Sequence, residues 1–191
     1  MSSVLRHFLS PEATMALKLI KIAEKLSNNL DDFALYVTDV TMDSFAVNDK
    51  GELLLIDLDS VLVVDKLAVK GSELTTWNGM HESQFNECRN QTFRECNKDT
   101  EPQLCRHANS DHNYYVICRQ LLSQDAYDGS EKRRSFVNGL LHDMPDTARN
   151  DWELDYLLSE SVMPTRQRGR MQVVHKMIEA LSNLQSEPVK H

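Results

Sequence analysis

The chain has 191 residues, of which 41% are hydrophobic and 26% are charged, so it is long enough to bury an ordinary globular core. Its 29 acidic residues outnumber its 21 basic residues, and the net charge of −8 argues against nucleic acid or an anionic membrane surface as the main partner. No run of 18 consecutive apolar residues occurs, so the sequence predicts no span across a membrane.

The first predicted element is a helix that starts at Ser10 and Pro11, which suit an N-cap and a first helical position. Its apolar residues recur at helical spacing, at Met15, Leu19, Ile22, Ala23 and Leu26. This pattern predicts that one face of the helix is buried in the core.

The next predicted elements are extended segments. Residues 33–40 are apolar and β-branched, which predicts extended or partly helical chain. Residues 44–47 and 52–57 are predicted as two short strands that the turn 48–51 joins into a β-hairpin. Residues 60–64 are predicted to continue as a strand.

Periodicity is lost from about residue 71 to residue 110, which predicts a cysteine-rich loop region of 71–110. Helical spacing returns in residues 111–123, 146–161 and 169–184. The predicted fold class is therefore mainly α with a small β-hairpin, in a single domain that covers residues 1–191.

All four cysteines lie between residues 88 and 118, at Cys88, Cys96, Cys105 and Cys118. Such a cluster indicates a disulfide framework, a metal site or chance. Asn90 begins an Asn-Gln-Thr acceptor for N-glycosylation, and this acceptor within an even-numbered cysteine cluster favours a secretory origin. Short loops favour disulfides that join Cys88 to Cys96 and Cys105 to Cys118.

Zinc is the alternative for this region, because sulfur and imidazole ligands are available from Cys105, His107, His112 and Cys118. Their spacing fits no common two-plus-two zinc pattern, so disulfides are the preferred interpretation. Unpaired thiols in the core are the third interpretation.

Four aspartates stand at the ends of the hairpin region: Asp39, Asp43, Asp57 and Asp59. Because a hairpin brings its two ends together, we expect these carboxylates to converge. Converging carboxylates bind a cation or have raised pKa values. The alternative is that single acids among them are turn residues that face water.

The spacing of these residues resembles a phosphotransferase catalytic loop, in which a base aspartate precedes a metal-binding asparagine by five residues. Asp39 takes the position of the base, Ser44 that of the asparagine, and Asp57 that of the second metal ligand after a hairpin. The loop is degraded, because Thr38 replaces an arginine, Ser44 replaces an amide ligand, and an acid replaces the glycine two residues after Asp57. Asp43, beside Ser44, can supply a compensating oxygen for the metal.

Five segments carry a wider resemblance: "IAEKLSNN", "FALYVTDVTMDSFAV", "IDLDSVLVVDK", "DHNYYVICRQLLS" and "GLLHDMP". From about residue 15 to about residue 180 the chain resembles the C-terminal part of the divergent protein kinase domain family, in its deleted-in-autism subgroup of Golgi and secreted kinase-like proteins. The resemblance implies a protein-kinase-like C-lobe with a disulfide-bearing insertion and a place in the secretory pathway. It also implies that Asp111 begins a helix and accepts hydrogen bonds from the catalytic-loop backbone, which is compatible with a plain N-cap.

A kinase also needs an N-lobe with a glycine-rich loop and a lysine that hold the ATP phosphates, and no Gly-x-Gly-x-x-Gly occurs in these 191 residues. We therefore expect the chain to be a fragment of a longer kinase-like protein, inactive by itself and without a cofactor. The sequence favours a pseudokinase that binds a partner protein. The alternative is an active phosphotransferase, which uses Mg²⁺ or Mn²⁺ with ATP when it is joined to an N-lobe.

Overall fold

The computed structural model describes residues 11–27, 32–71, 79–83, 102–123, 126–127, 136–137, 139–141, 144, 146–165 and 169–186. The helices, in chain order, are α1 (Pro11–Ser27), α2 (Lys66–Gly71), α3 (His112–Ile117), α4 (Asp146–Asp151), α5 (Leu154–Val162) and α6 (Gly169–Ser186). The strands are β1 (Phe33–Val37), β2 (Phe45–Val47), β3 (Leu53–Leu55), β4 (Val61–Asp65), β5 (Met80–His81), β6 (Asn109–Ser110), β7 (Ala126–Tyr127) and β8 (Phe136–Val137).

The main hydrophobic core lies between the long helices. On α1 the buried face consists of Ala13, Ala16, Leu17, Leu19, Ile20 and Ala23. This face packs against α3 and α6, and α5 also packs against α6. The buried face of α1 shares Leu19 and Ala23 with the predicted stripe, whereas Met15, Ile22 and Leu26 are only partly buried. Helical spacing therefore predicted that the helix has a buried face, but not all of the residues on that face.

The sheets among the described residues are small, and each has two strands. β1 pairs antiparallel with β4, so that Phe33 lies opposite Asp65 and Val37 lies opposite Val61. β2 and β3 form the predicted antiparallel hairpin. A second, smaller core lies beneath the β1–β4 sheet and contains Ala34, Tyr36, Val64, Val69 and Leu104.

The hairpin turn follows the chemistry of its residues. The Oδ1 atom of Asn48 accepts hydrogen bonds from the backbone N–H groups of Lys50 (3.0 Å) and Glu52 (2.9 Å). Gly51 has a φ of +74°, which a residue without a Cβ adopts at little cost. Lys18 of α1 donates a hydrogen bond to the carbonyl oxygen of Gly51 at 2.5 Å, so the turn is also attached to the core helix.

Two helices differ from the sequence expectation. The helix predicted over residues 146–161 is divided into α4 and α5, because Glu153 adopts a left-handed conformation with a φ of 52°. Helix α2 was not predicted. Asp65 caps it, since its Oδ1 atom accepts hydrogen bonds from the N–H groups of Leu67 and Ala68, both at 2.9 Å.

Part of the predicted loop region 71–110 is ordered by pairing between its two ends. β5 and β6 form a short parallel pair in which Met80 lies opposite Asn109 and His81 lies opposite Ser110. This pairing closes residues 79–83 against the start of α3, and the N–H group of Asp111 donates to the carbonyl oxygen of His81 at 3.2 Å.

The predicted disulfide between Cys105 and Cys118 is wrong. Cys118 has a free thiol and is fully buried, whereas Cys105 lies at the surface. Burial raises the pKa of the Cys118 thiol to about 11, so the group is a weakly acidic core residue. No disulfide joins two of the described residues, and the predicted positions Cys88, Cys96 and Asn90 lie outside them.

Within the described ranges, no helix combines the length and the apolar character that crossing a membrane requires.

Candidate functional site

Asp39 lies in the loop that leaves β1, and its side chain is exposed. The residue before it, Thr38, is buried and donates two hydrogen bonds to the carbonyl oxygen of Ser60, from its backbone N–H (2.8 Å) and from its Oγ1 (2.9 Å). Since Ser60 immediately precedes β4, these bonds hold the Asp39 loop beside the segment that carries Asp57 and Asp59.

Ser44 and Asp57 are neighbours through their backbones. The carbonyl oxygen of Ser44 accepts hydrogen bonds from the N–H groups of Ile56 (2.9 Å) and Asp57 (3.3 Å). The Oδ1 atom of Asp57 accepts a hydrogen bond from the N–H of Asp59 at 3.2 Å, which closes an Asx turn. The structure therefore brings together the two loops that the sequence singled out, with the Asp57 side chain exposed.

The hydroxyl group of Ser44 faces the loop backbone. Ser44 is 3% exposed, and its Oγ accepts a hydrogen bond from the N–H of Thr41 at 3.1 Å. The same Oγ lies 3.5 Å from the Oγ1 of Thr41. Asp43 lies in the same 3₁₀ turn, Met42–Ser44, with an exposed side chain. The Oγ atom of Ser44, which stands where the resemblance implies an amide ligand, therefore stabilises the turn.

The carboxylates at this site provide few ligands for a metal ion. Among the residues that the structure describes, no three His, Cys, Asp or Glu side chains form a group that could hold a metal ion. Mg²⁺ in nucleotide sites is commonly bound by one or two carboxylates together with substrate phosphates. The expected convergence of Asp39, Asp43, Asp57 and Asp59 into one group that could hold a metal ion is therefore not formed, and a smaller ligand set around Asp57 stays a prediction.

The carboxylate of Asp111 binds elsewhere than expected. Its Oδ1 atom accepts a hydrogen bond from the N–H of Ser83 at 3.0 Å, and its Oδ2 atom pairs with Arg170. Burial raises the pKa of Asp111, while the Arg170 charge and the Ser83 hydrogen bond act in the opposite direction. Asp111 therefore anchors residues 79–83 and α6 to the start of α3.

The resemblance assigns to Asp111 a contact with the backbone of the Asp39 loop. In the structure this contact is made by two side-chain amides, one on α3 and one on the turn that continues it. The Oδ1 atom of Asn113 accepts a hydrogen bond from the N–H of Val37 at 2.9 Å, and the Oε1 atom of Gln120 accepts one from Val40 at 3.3 Å. Sequence reasoning missed both residues. The available signal was two amides seven residues apart, on one face of a helix in which most other residues are apolar or aromatic.

The histidines near the predicted zinc ligands are packed rather than arranged around an ion. His107 stacks on His81 with ring centroids 5.3 Å apart, and the Nδ1 atom of His112 lies 2.8 Å from the Oγ of Ser83. Burial lowers the pKa of His81 to about 4 and that of His112 to about 3. The zinc alternative, in which His107 and His112 join the cysteines, is not formed among the described residues.

Comparison with known proteins gives a consistent result. Residues 1–164 match the family model described as the protein-kinase domain of FAM69. Over 171 residues the chain is 38% identical to Divergent protein kinase domain 2A of Xenopus tropicalis, 37% identical to that of Homo sapiens and 36% identical to that of Mus musculus. Each alignment covers 89% of this chain but only 38% of the relative, and no solved structure matches.

Proposed function

Because the chain belongs to the divergent protein kinase domain family, we propose that it is a pseudokinase part of a Golgi or secreted protein and acts by binding a partner protein. The family resemblance inferred from the sequence is confirmed over most of the chain. The chain spans 38% of the length of these relatives, so the activity of a whole protein of this kind is part of the proposal.

The observation that carries the pseudokinase proposal is that the Ser44 hydroxyl is buried and hydrogen-bonded within its own turn. A metal-binding position in a catalytic loop needs a side-chain oxygen that faces the ligand. The Ser44 hydroxyl is buried and accepts the N–H of Thr41, so it supports the turn instead of a cation. A hydroxyl is also a poorer Mg²⁺ ligand than an amide oxygen or a carboxylate. We therefore expect weak or absent binding of metal–nucleotide complexes by this chain.

A second candidate function is phosphoryl transfer, and the positions of Asp39 and Asp57 favour it. Both side chains are exposed, and Thr38 and Ser44 hold their loops side by side through hydrogen bonds to Ser60 and Asp57. When Mg²⁺ or Mn²⁺ is bound with ATP, it supplies charge neutralisation for the phosphates. Asp57 would hold the cation, with Asp43 as an additional oxygen, and Asp39 would orient or deprotonate a hydroxyl substrate.

Thermal unfolding with Mg-ATP and Mn-ATP separates these two functions. At about 100-fold excess over its Kd, a ligand that binds only the folded chain adds roughly 2.7 kcal/mol to the free energy of unfolding. The pseudokinase proposal predicts no stabilisation by either complex. A stabilisation that is lost in Asp57→Asn, but kept in the control Asp49→Asn, would overturn it in favour of phosphoryl transfer. Asp57→Asn keeps the oxygen that accepts the Asp59 N–H, and Asp49 is an exposed acid of the hairpin turn.

The secretory location rests on the family and on the Asn90 acceptor. Expressed within its parent protein in animal cells, the chain should carry an N-glycan that a glycosidase removes and that Asn90→Gln prevents. An unmodified Asn90 in material that has passed through the secretory pathway would contradict this use of the acceptor. Thr92→Ala, which removes the acceptor and keeps Asn90, is the matched variant.

A further inference from the structure

The peptide groups of β1 face two different neighbours. On one edge the carbonyl oxygen of Asp32 accepts the N–H of Lys66 (2.7 Å), and the N–H of Thr38 donates to Ser60 (2.8 Å), so this edge belongs to the ladder with β4. Peptide groups alternate in direction along a strand. The carbonyl oxygen of Leu35 and the N–H of Val37 therefore lie on the opposite edge, where no β-strand among the described residues pairs with them.

Asn113 of α3 closes that free edge. Its Oδ1 atom accepts the N–H of Val37 at 2.9 Å, and its Nδ2 atom donates to the carbonyl oxygen of Leu35 at 2.8 Å. The other Nδ2 hydrogen reaches the Oγ of Ser27, at the end of α1, at 3.0 Å. A carboxamide has the acceptor and the donor of a peptide group, so Asn113 takes the place of one residue of an adjacent strand.

Gln120 makes the corresponding contact on the far side of Asp39. It lies in the π-helical turn Cys118–Leu122 that continues α3, and its Oε1 atom accepts the N–H of Val40 at 3.3 Å. Gln120 is 8% exposed and Asn113 is fully buried, so neither hydrogen bond competes freely with water. Val37 and Val40 flank Asp39, and the loop backbone is thus bound from α3 on both sides of the exposed carboxylate.

We infer that Asn113 and Gln120 are positioning residues that fix the backbone around Asp39, with two neutral amides in place of the carboxylate anchor implied by the family resemblance. The inference goes beyond the proposed function, because it holds whether Asp39 belongs to a binding surface or to an active site. Among the described residues, the two carboxylate oxygens of Asp111 instead bind Ser83 and Arg170.

The chemistry of the contact explains why an amide is present at position 113. An aspartate there would still accept the Val37 N–H, but it would have no hydrogen to donate to the Leu35 carbonyl, 2.8 Å from the present Nδ2 atom. It would also bring a negative charge next to that oxygen in a fully buried place. At position 120 the contact with Val40 uses only the accepting oxygen, which a glutamate also has, although its negative charge would then be buried.

Amide hydrogen exchange of the ¹⁵N-labelled chain tests the inference at Gln120. In Gln120→Ala the Val40 amide should exchange about ten-fold faster or more, because one buried hydrogen bond is removed. Gln120→Glu keeps an accepting oxygen and should restore slow exchange at Val40. The control is Gln172→Ala, at an exposed position of α6, which should leave the exchange rate at Val40 unchanged.

The local nature of the effect separates positioning from a general loss of stability. Amides of α6, such as that of Val174, should exchange at wild-type rates in Gln120→Ala after correction for any change in global unfolding. Equal Val40 exchange in Gln120→Ala and wild type would overturn the inference. Asn113→Asp provides a second test, in which we expect faster exchange at the Val37 amide or failure of the protein to fold. A stable protein with wild-type exchange at Val37 would contradict the role of Asn113.

Nucleotide binding is measured separately on the same proteins. A stabilisation by Mn-ATP that Asp57→Asn removes and Asp49→Asn keeps would overturn the pseudokinase proposal and leave the exchange result unaffected. If exchange at Val40 is insensitive to Gln120, the positioning inference fails even when the pseudokinase proposal stands. The two conclusions are therefore tested by different observations.

Discussion

At the scale of single residues, the most unusual environment belongs to the buried histidines. The Nε2 atoms of His81 and His112 are buried and have no hydrogen-bond partner among the described residues. Their neighbours include His107, Arg170, Asp111 and the rings of Tyr36 and Tyr115. Burial and the nearby positive charge of Arg170 both disfavour an imidazolium ion, so both rings stay neutral in the folded protein at mildly acidic pH.

This environment predicts a loss of stability on acidification. The folded pKa of His112 is about 3, below the ordinary value of 6.5, so the unfolded chain binds a proton that the folded chain rejects. The contribution of the neutral His112 ring to the free energy of unfolding is complete above pH 6.5 and decreases as the pH falls toward 3. From pH 8 to pH 5 we expect a decrease of about 2 kcal/mol from His112 alone, measured by urea unfolding.

The matched variants for this measurement are His112→Asn and His175→Gln. His112→Asn keeps a polar atom near the Nδ1 position that contacts Ser83 but removes the titration, so its stability should depend less on pH. His175 is an exposed histidine of α6, so His175→Gln is the matched replacement at the surface. The same slope between pH 8 and pH 5 in His112→Asn and wild type would contradict this interpretation.

At the scale of elements, α3 and its π-helical continuation contain the most information about the site. Every residue from His112 to Leu122 is buried, so this helix is enclosed on all sides, unlike the amphipathic α1. In a helix enclosed in this way, most polar groups need hydrogen-bond partners within the protein. Asn113 and Gln120 find them in the Asp39 loop, and this is how one helix connects the core to the candidate site.

The enclosure of α3 also explains the error about the cysteines. Cys118 lies at the start of the π-helical turn, where its thiol is fully buried and surrounded by the core. A disulfide requires two Cβ atoms within about 4.5 Å of each other, which loop length alone does not establish. The spacing of cysteines along the chain therefore predicted a pairing that the structure does not form, since Cys105 lies at the surface and Cys118 in the core.

At the scale of the whole molecule, Arg170 joins segments that are far apart in the sequence. Its guanidinium group pairs with Asp111 and donates to the carbonyl oxygens of Ser161 and Ser83, the latter at 2.8 Å. It also lies over the ring of Tyr115, 4.9 Å from the centroid. Arg170 is 1% exposed, so these contacts replace water for a fully buried charge.

Removal of this charge should be strongly destabilising. We expect Arg170→Met to lower the free energy of unfolding by about 3–5 kcal/mol, because Asp111 is left as a buried, unpaired carboxylate. The double variant Arg170→Met with Asp111→Asn should recover part of this loss, since the asparagine oxygen still accepts the Ser83 N–H. Urea unfolding of the single and double variants measures the difference.

The exposed ion pair between Arg149 and Asp155 provides the comparison for Arg170. Its shortest contact is 2.7 Å, but the two side chains are 34% and 61% exposed. Because solvent screens such a pair, Arg149→Met should change the stability by less than about 1 kcal/mol. A similar loss in Arg149→Met and Arg170→Met would show that burial is not the source of the effect. A double variant, Arg170→Met with Asp111→Asn, that is no more stable than Arg170→Met would also contradict the prediction.

The sequence by itself determined the helical class, the hairpin and the two loops that carry Asp39 and Asp57. Helical periodicity and turn residues such as Asn48 and Gly51 act over a few residues, so they can be interpreted without the fold. Five short segments of the sequence also carried the resemblance to the family, which the comparisons confirm. These features depend on residues that are close together in the sequence, so the sequence alone predicts them.

Only the tertiary structure decided which partners these residues have. Asn113 lies 76 residues from Val37, and Arg170 lies 59 residues from Asp111, so no local pattern connects them. The same applies to the parallel pairing of β5 with β6 and to the burial of Cys118. A hydrogen-bond partner or a buried position is set by which elements pack together, because free energy is gained only when distant segments exclude water from one another.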